Sequence, residues 1–199
     1  FFVILVSLFL LFTYKKKVFY ALYQSGMPGF FGGIILGCGF SSYVFAMYNT
    51  TVANANFIIQ TQAIFLAIFG YFFLKEKISK TTLASIILAI SGIILMVGSS
   101  LSPGELSGNL VAFVMPSSFA ALIIIVRKYP NLDMLPLQLI AGIVATLIGY
   151  FISTKINIST NDLLLAFVAG FFQVGFGFIF ITIGAKKTLS AMVGILMMT

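Results

Sequence analysis

The sequence contains no histidine and a single cysteine, Cys38. A zinc site, a Ser/His/Asp triad, a Cys/His pair and an internal disulfide are all beyond its reach. Acids are scarce as well, and the four present, Glu76, Glu105, Asp133 and Asp162, fall at the ends of apolar runs or between them. No carboxylate or histidine stands mid-run to relay protons, and no basic side chain stands there to receive a strongly anionic ligand. Most enzyme chemistry is thereby excluded. The sequence does not read as an enzyme, and it calls for no cofactor and no metal.

What is present is apolar. With 61% hydrophobic residues, 8% charged residues and a mean hydropathy of +1.17, the composition is that of an integral membrane protein, whose solvent is the lipid bilayer. The net charge of +7 is no sign of nucleic acid binding, because the lysines stand in short clusters between apolar spans instead of on one basic face. The opening FFVILVSLFLLFT lacks a basic n-region and a small-residue cleavage site. It reads as the second half of a spanning helix, with the protein expected to extend beyond both ends. Further spans are expected at Gly29–Tyr48, Val52–Leu74, Thr81–Gly98, Asn109–Val126, Leu135–Ile152 and Asp162–Gly184, with another beginning near Leu189. VFYALYQSGMPG, with Gly26 and Pro28, is expected to be an interfacial linker.

Basic residues near span ends orient a membrane protein, while acids count little. Ten of the eleven fall in alternate loops: Lys15, Lys16 and Lys17; Lys75, Lys77 and Lys80; Arg127 and Lys128; Lys186 and Lys187. The intervening loops hold Lys155 alone. The loops at 14–17, 75–80, 127–128 and 186–187 are accordingly expected in the cytoplasm, with the protein multi-pass in a bacterial cytoplasmic (inner) membrane.

The stretch from Thr50 to Lys80 places Asn54, Asn56, Gln60 and Gln62 in one half of an apolar span. Amides inside a bilayer have lost their water, so they require protein partners, a watery cavity or a ligand. At about 100° per residue Asn56 and Gln60 share one face, and Asn54 and Thr61 share another about 130° away. Gln60 also lies about 20 Å of helix from Lys75, near the middle of a bilayer. Asn56 and Gln60 are therefore the expected solute contacts, the alternative being that they bond neighbouring helices together. Tyr43, Ser117 and Ser118 beside Pro116, and Gln173 within FVAGFFQVGFGF complete the candidate substrate-binding set. Ser41 and Ser42 are expected to bond back to their own helix. Gly32, Gly33 and Gly37 contain a G-x-x-x-G spacing suited to close helix packing within the bundle, or in a homodimer.

GFSSYVFAMYNTTVANANF, from Gly39, can be laid over GFGFIFITIGAKKTLSAMV, from Gly175. The loop after the first is expected outside and that after the second inside, the mark of an inverted repeat with an odd number of helices, about five, per unit. Here the residues resemble a known family, the EamA-type transporters of the drug/metabolite transporter superfamily, across essentially all 199 residues. The resemblance is strongest in FFLKEKISKTTLASIILAISGIILMVG, where Glu76 and Gly92 occupy the places of the family's glutamate after the fourth helix and glycine in the fifth. Ala63 stands where the family usually has proline, which implies a straighter fourth helix, and Ser85 where it often has glycine. Gly108, Phe119-Ala120 and Arg127 match the start, the Trp-Ala position and the cytoplasmic end of the sixth helix. The resemblance implies an all-α integral membrane fold, a polytopic helical bundle of two inverted five-helix repeats of which about seven to eight spans are present. The first repeat would occupy 1–98 and the second 99–199. It also implies a secondary transporter, a permease or exporter moving small organic metabolites or drug-like solutes by alternating access. The competing reading is a non-transporting membrane protein acting as an assembly or signalling subunit.

Overall fold

The computed structural model of the chain describes residues 1–78, 80–98, 103–153, 158–186, 188–190 and 192–193. Lys155, Lys187 and Ala191 lie outside the described residues, as do the side chains of Ser85 and Glu105. Among the described residues every regular element is helical. Helix α1 covers Phe2–Tyr14, a 3-10 turn Lys15–Lys17 follows, and α2 (Val18–Gln24) leads to α3 (Gly26–Asn49). Then come α4 (Val52–Ile59), α5 (Gln62–Leu74), α6 (Lys80–Gly98), α7 (Pro103–Ala112), α8 (Val114–Lys128), α9 (Leu137–Ile152), α10 (Thr160–Val168) and α11 (Gly177–Ala185). A π-helical segment, Ala169–Phe176, joins α10 to α11. Among the described residues, four stretches are long and apolar enough to cross a membrane: Gly26–Asn49, Val52–Leu74, Leu106–Lys128 and Thr160–Ala185.

Local chemistry sets several boundaries. Thr51 caps α4, its hydroxyl oxygen accepting from the Asn54 N–H (3.1 Å). Ser159 caps α10 in the same way at Asp162, whose carboxylate also accepts from the Ser159 hydroxyl (2.7 Å) and stands at the positive end of the helix dipole. At the far end of α5 Lys75 turns left-handed (φ 56°), and the Glu76 N–H reaches back to the Gly70 carbonyl (3.1 Å).

Two expectations require correction. The stretch expected as a linker is helical through Val18–Gln24, broken only where Gly26 takes φ +61°. Pro28 is the third residue of α3, in the first turn, where its missing N–H has no helical acceptor to lose. The fourth helix is not straightened by the absence of proline at Ala63, because the ladder tightens just before it. Thr61 N–H bonds to Ile58 O (3.0 Å) and Ile64 N–H to Thr61 O (2.8 Å), three residues back instead of four, with Gln60 and Thr61 forming a turn between α4 and α5. One turn earlier the Asn56 amide occupies the Val52 carbonyl (3.0 Å), a side-chain competitor of the kind that weakens helix interiors. The last long span, expected at Asp162–Gly184, runs from Thr160 to Ala185 and carries the π-helical segment at its centre.

The chain divides into two units. The first comprises Phe1–Gly37 and Ile125–Lys187, and one of its cores is built from Leu5, Val6, Leu10 and Ile179 with Phe2, Phe9, Leu139, Phe171 and Phe176 around them. Gly32, Gly33 and Gly37 lie buried against α9: a Cβ on Gly33 would stand 2.6 Å from Ile140 Cβ and 2.9 Å from the Leu137 carbonyl oxygen. The glycine stripe therefore serves packing within the bundle, as its spacing suggested. Tyr14 donates to the Asp133 carboxylate, and Lys186 Nζ donates to Leu132 O (3.2 Å), tying the ends of α1 and α11 to the turn before α9.

The second unit comprises Cys38–Ile124 and Thr188–Thr199. Its small-residue core, Ala46, Ala55, Ile58 and Ala112, joins α3, α4 and α7, with Tyr43, Met47 and Phe113 packed against it. Approach is close enough that a Cβ on Gly108 would meet the Asn49 carbonyl carbon and oxygen at 2.5 Å.

Candidate solute-binding site

Helix α4 presents its amides to two environments. Asn54, Ala55 and Ile58 face the packed side, followed past the turn by Thr61 and Gln62, all buried. Asn56 and Gln60 lie on the other side and are exposed. The wheel separation of the two faces is thus realised, with the face carrying Asn54 and Thr61 turned into the bundle.

Of the expected contacts, Tyr43 and Asn56 are brought together. The Tyr43 hydroxyl donates to Asn56 Oδ1 (3.3 Å), from α3 to α4, over the alanine core. Gln60 lies at the end of α4, where its N–H still reaches Asn56 O (3.3 Å). On α8, Ser117 donates back to Val114 O (2.9 Å), while Ser118 is buried and stands against Gly39, where an added Cβ would lie 2.7 Å from Ser118 Cβ. These five belong to the second unit. Gln173 belongs to the first, exposed within the π-helical segment. Ser42 bonds back to Gly39 O (2.7 Å), the local role expected of it.

Other polar groups stand out only in three dimensions. The Thr50 hydroxyl donates to Asn109 Oδ1 (2.6 Å) and accepts from Asn54 Nδ2 (3.4 Å), linking α4, α7 and the α3–α4 loop. In the first unit Gln138, fully buried on α9, donates to the Thr182 hydroxyl (2.7 Å), which donates on to Phe178 O (2.7 Å). Among the described residues, three buried side-chain atoms have no hydrogen-bond partner: Thr61 Oγ1, Asn109 Nδ2 and Gln138 Oε1. Asn54 and Thr61, seven residues apart, carried a sequence signal in their shared face. Asn109 and Thr182 carried none, since each gains its partner from a segment distant in sequence.

Every buried polar side chain among the described residues is uncharged, whether serine, threonine, asparagine or glutamine. Such groups exchange neutral hydrogen bonds, and an ion placed among them would lose its hydration without a counter-charge. No cluster of three histidine, cysteine or carboxylate side chains occurs among the described residues.

The sequence model of the EamA-like transporter family matches residues 1–98, which hold α1 to α6 and with them Tyr43, Asn56 and Gln60. No curated protein and no solved structure matches the chain. The long apolar helices that carry these amides are those of an integral membrane protein, and residues 1–98 are similar in sequence to the EamA-like transporter family.

Proposed function

We propose that the protein is a secondary transporter that moves a small organic metabolite or drug-like solute by alternating access. The match of residues 1–98 to a family of transporters carries this reading. Inverted-repeat carriers bind cargo where repeats meet near the midplane, since rocking one bundle against the other then exposes a fixed site to each side in turn. On this reading the first repeat occupies 1–98 and the second 99–199, about five helices each when whole. Tyr43, Asn56 and Gln60 come from the first repeat and Ser117, Ser118 and Gln173 from the second. Their neutral side chains suit an uncharged or zwitterionic solute. The loops rich in lysine and arginine face the cytoplasm of a bacterium.

A second reading, an assembly or signalling subunit, draws on the Gln138–Thr182 bond, in which a buried amide joins two helices without any solute. Reconstituted vesicles separate the two. Uptake or efflux screened over amino acids, nucleosides, sugars and amphiphilic drugs is expected to find a transported class. Failure across that whole panel would favour the subunit.

A further inference from the structure

Two of the membrane-capable stretches of the second unit are interrupted. Val52–Leu74 is broken at Gln60–Thr61, and Leu106–Lys128 is broken at Phe113, where the N–H bonds to Leu110 O (3.3 Å), three residues back. Pro116 accounts for the second break, because it has no N–H to offer Ala112 O and its ring crowds that carbonyl. The breaks border one core: Ile58, whose carbonyl receives the Thr61 N–H, packs with Ala112, and Phe113 lies against them.

A buried side-chain atom without a partner accompanies each break. Thr61 is 4% exposed, and nothing pairs with its Oγ1. Asn109, one turn before Ala112, is 1% exposed, and its Nδ2 is likewise unpaired. Thr50 accepts from Asn54 and donates to Asn109 Oδ1, which leaves the Asn109 amide N–H at the end of a hydrogen-bonded chain. A buried N–H held in this way costs free energy until it meets an acceptor.

We propose that these two breaks form a binding site for a small uncharged solute. The Asn109 N–H donates to a carbonyl or hydroxyl oxygen of the solute, and the Thr61 hydroxyl pairs with a neighbouring O–H or N–H. A neutral solute is specified because every buried polar group described in this unit is uncharged. The site deepens the transporter reading, and rests on it for the passage of the solute but not for its binding.

The test is thermal unfolding of the purified protein in detergent with four probes, neutral uridine and myo-inositol against anionic benzoate and cationic choline, beside vesicle uptake of the same four. A ligand of the folded state raises Tm with its concentration. At least one neutral probe is expected to do so, and neither ion. Thr61→Val, which keeps the shape and removes the unpaired hydroxyl, is expected to match or exceed the wild-type Tm without solute while weakening the effective probe about tenfold or more. Asn109→Ala is expected to weaken it comparably. Stabilisation by the ions alone, or by none of the four, overturns the site, as does a Thr61→Val protein with lowered Tm and unchanged affinity. Probe binding that both variants weaken, with no uptake by any vesicle, upholds the site and removes the transporter reading instead.

Discussion

Gln60 and Gln173 show how a residue's role depends on where its amide finds a partner. Both are exposed in the two units that hold them, so neither is committed to holding its unit together. Truncating either removes a hydrogen bond to cargo worth ~1–3 kcal/mol when the cargo group is left unpaired. Gln60→Ala and Gln173→Ala are each expected to weaken apparent solute affinity by about tenfold or more, at ~1.4 kcal/mol per decade, while expression and insertion stay near wild type. Transport kinetics measured beside the yield of folded protein check this, and normal kinetics in both variants would take these residues out of the site. Gly33 is the opposite case. Its missing side chain is what lets α3 approach α9, and because a Cβ would overlap Ile140 and a backbone carbonyl, Gly33→Ala is expected to cost about 1–3 kcal/mol of stability. A lowered unfolding midpoint in detergent would register it, and an unchanged one would show that α9 can move aside.

Among the elements, the broken helices matter most. Backbone groups set free within a bilayer are tolerated only where protein, water or a ligand satisfies them, so a break persists because its surroundings favour it. Pro116→Ala returns an N–H to the Ala112 carbonyl and is expected to close the break at Phe113, raising the unfolding midpoint. If the break serves transport, as we propose, the same change lowers the transport rate. A stabilised protein with undiminished transport would leave the break as packing only. The π-helical segment Ala169–Phe176 has a comparable standing. Such segments are rare and frequent at functional sites, and this one carries Gln173.

For the whole molecule the proposal turns on orientation. In an inverted repeat the loop after α3 and the loop after α11 face opposite sides of the membrane. Cysteines introduced as Asn49→Cys and Lys186→Cys, in a chain whose single native Cys38 is first replaced by serine, are therefore expected to react with impermeant maleimides from opposite sides. Labelling of both from one side would end the inverted-repeat reading while leaving the family likeness of residues 1–98 in place.

The sequence by itself determined the helical class, the positions of most spans and the family likeness of residues 1–98. Burial of an apolar run in lipid depends on length and composition, and turn or capping residues such as Thr51 and Ser159 act within a few positions of themselves. The Gly32, Gly33 and Gly37 stripe was legible for the same reason: a close approach leaves a periodic mark on one helix. Tertiary structure alone decided which face of α4 turned inward, since both faces carry amides and no periodicity distinguishes them. It also decided that a helix without proline at Ala63 would still break its regular ladder at Thr61, and that Asn109 would meet Thr50 across 59 positions of chain. A hydrogen bond between distant segments is set by the packing of whole helices, and neither partner announces the other in the sequence.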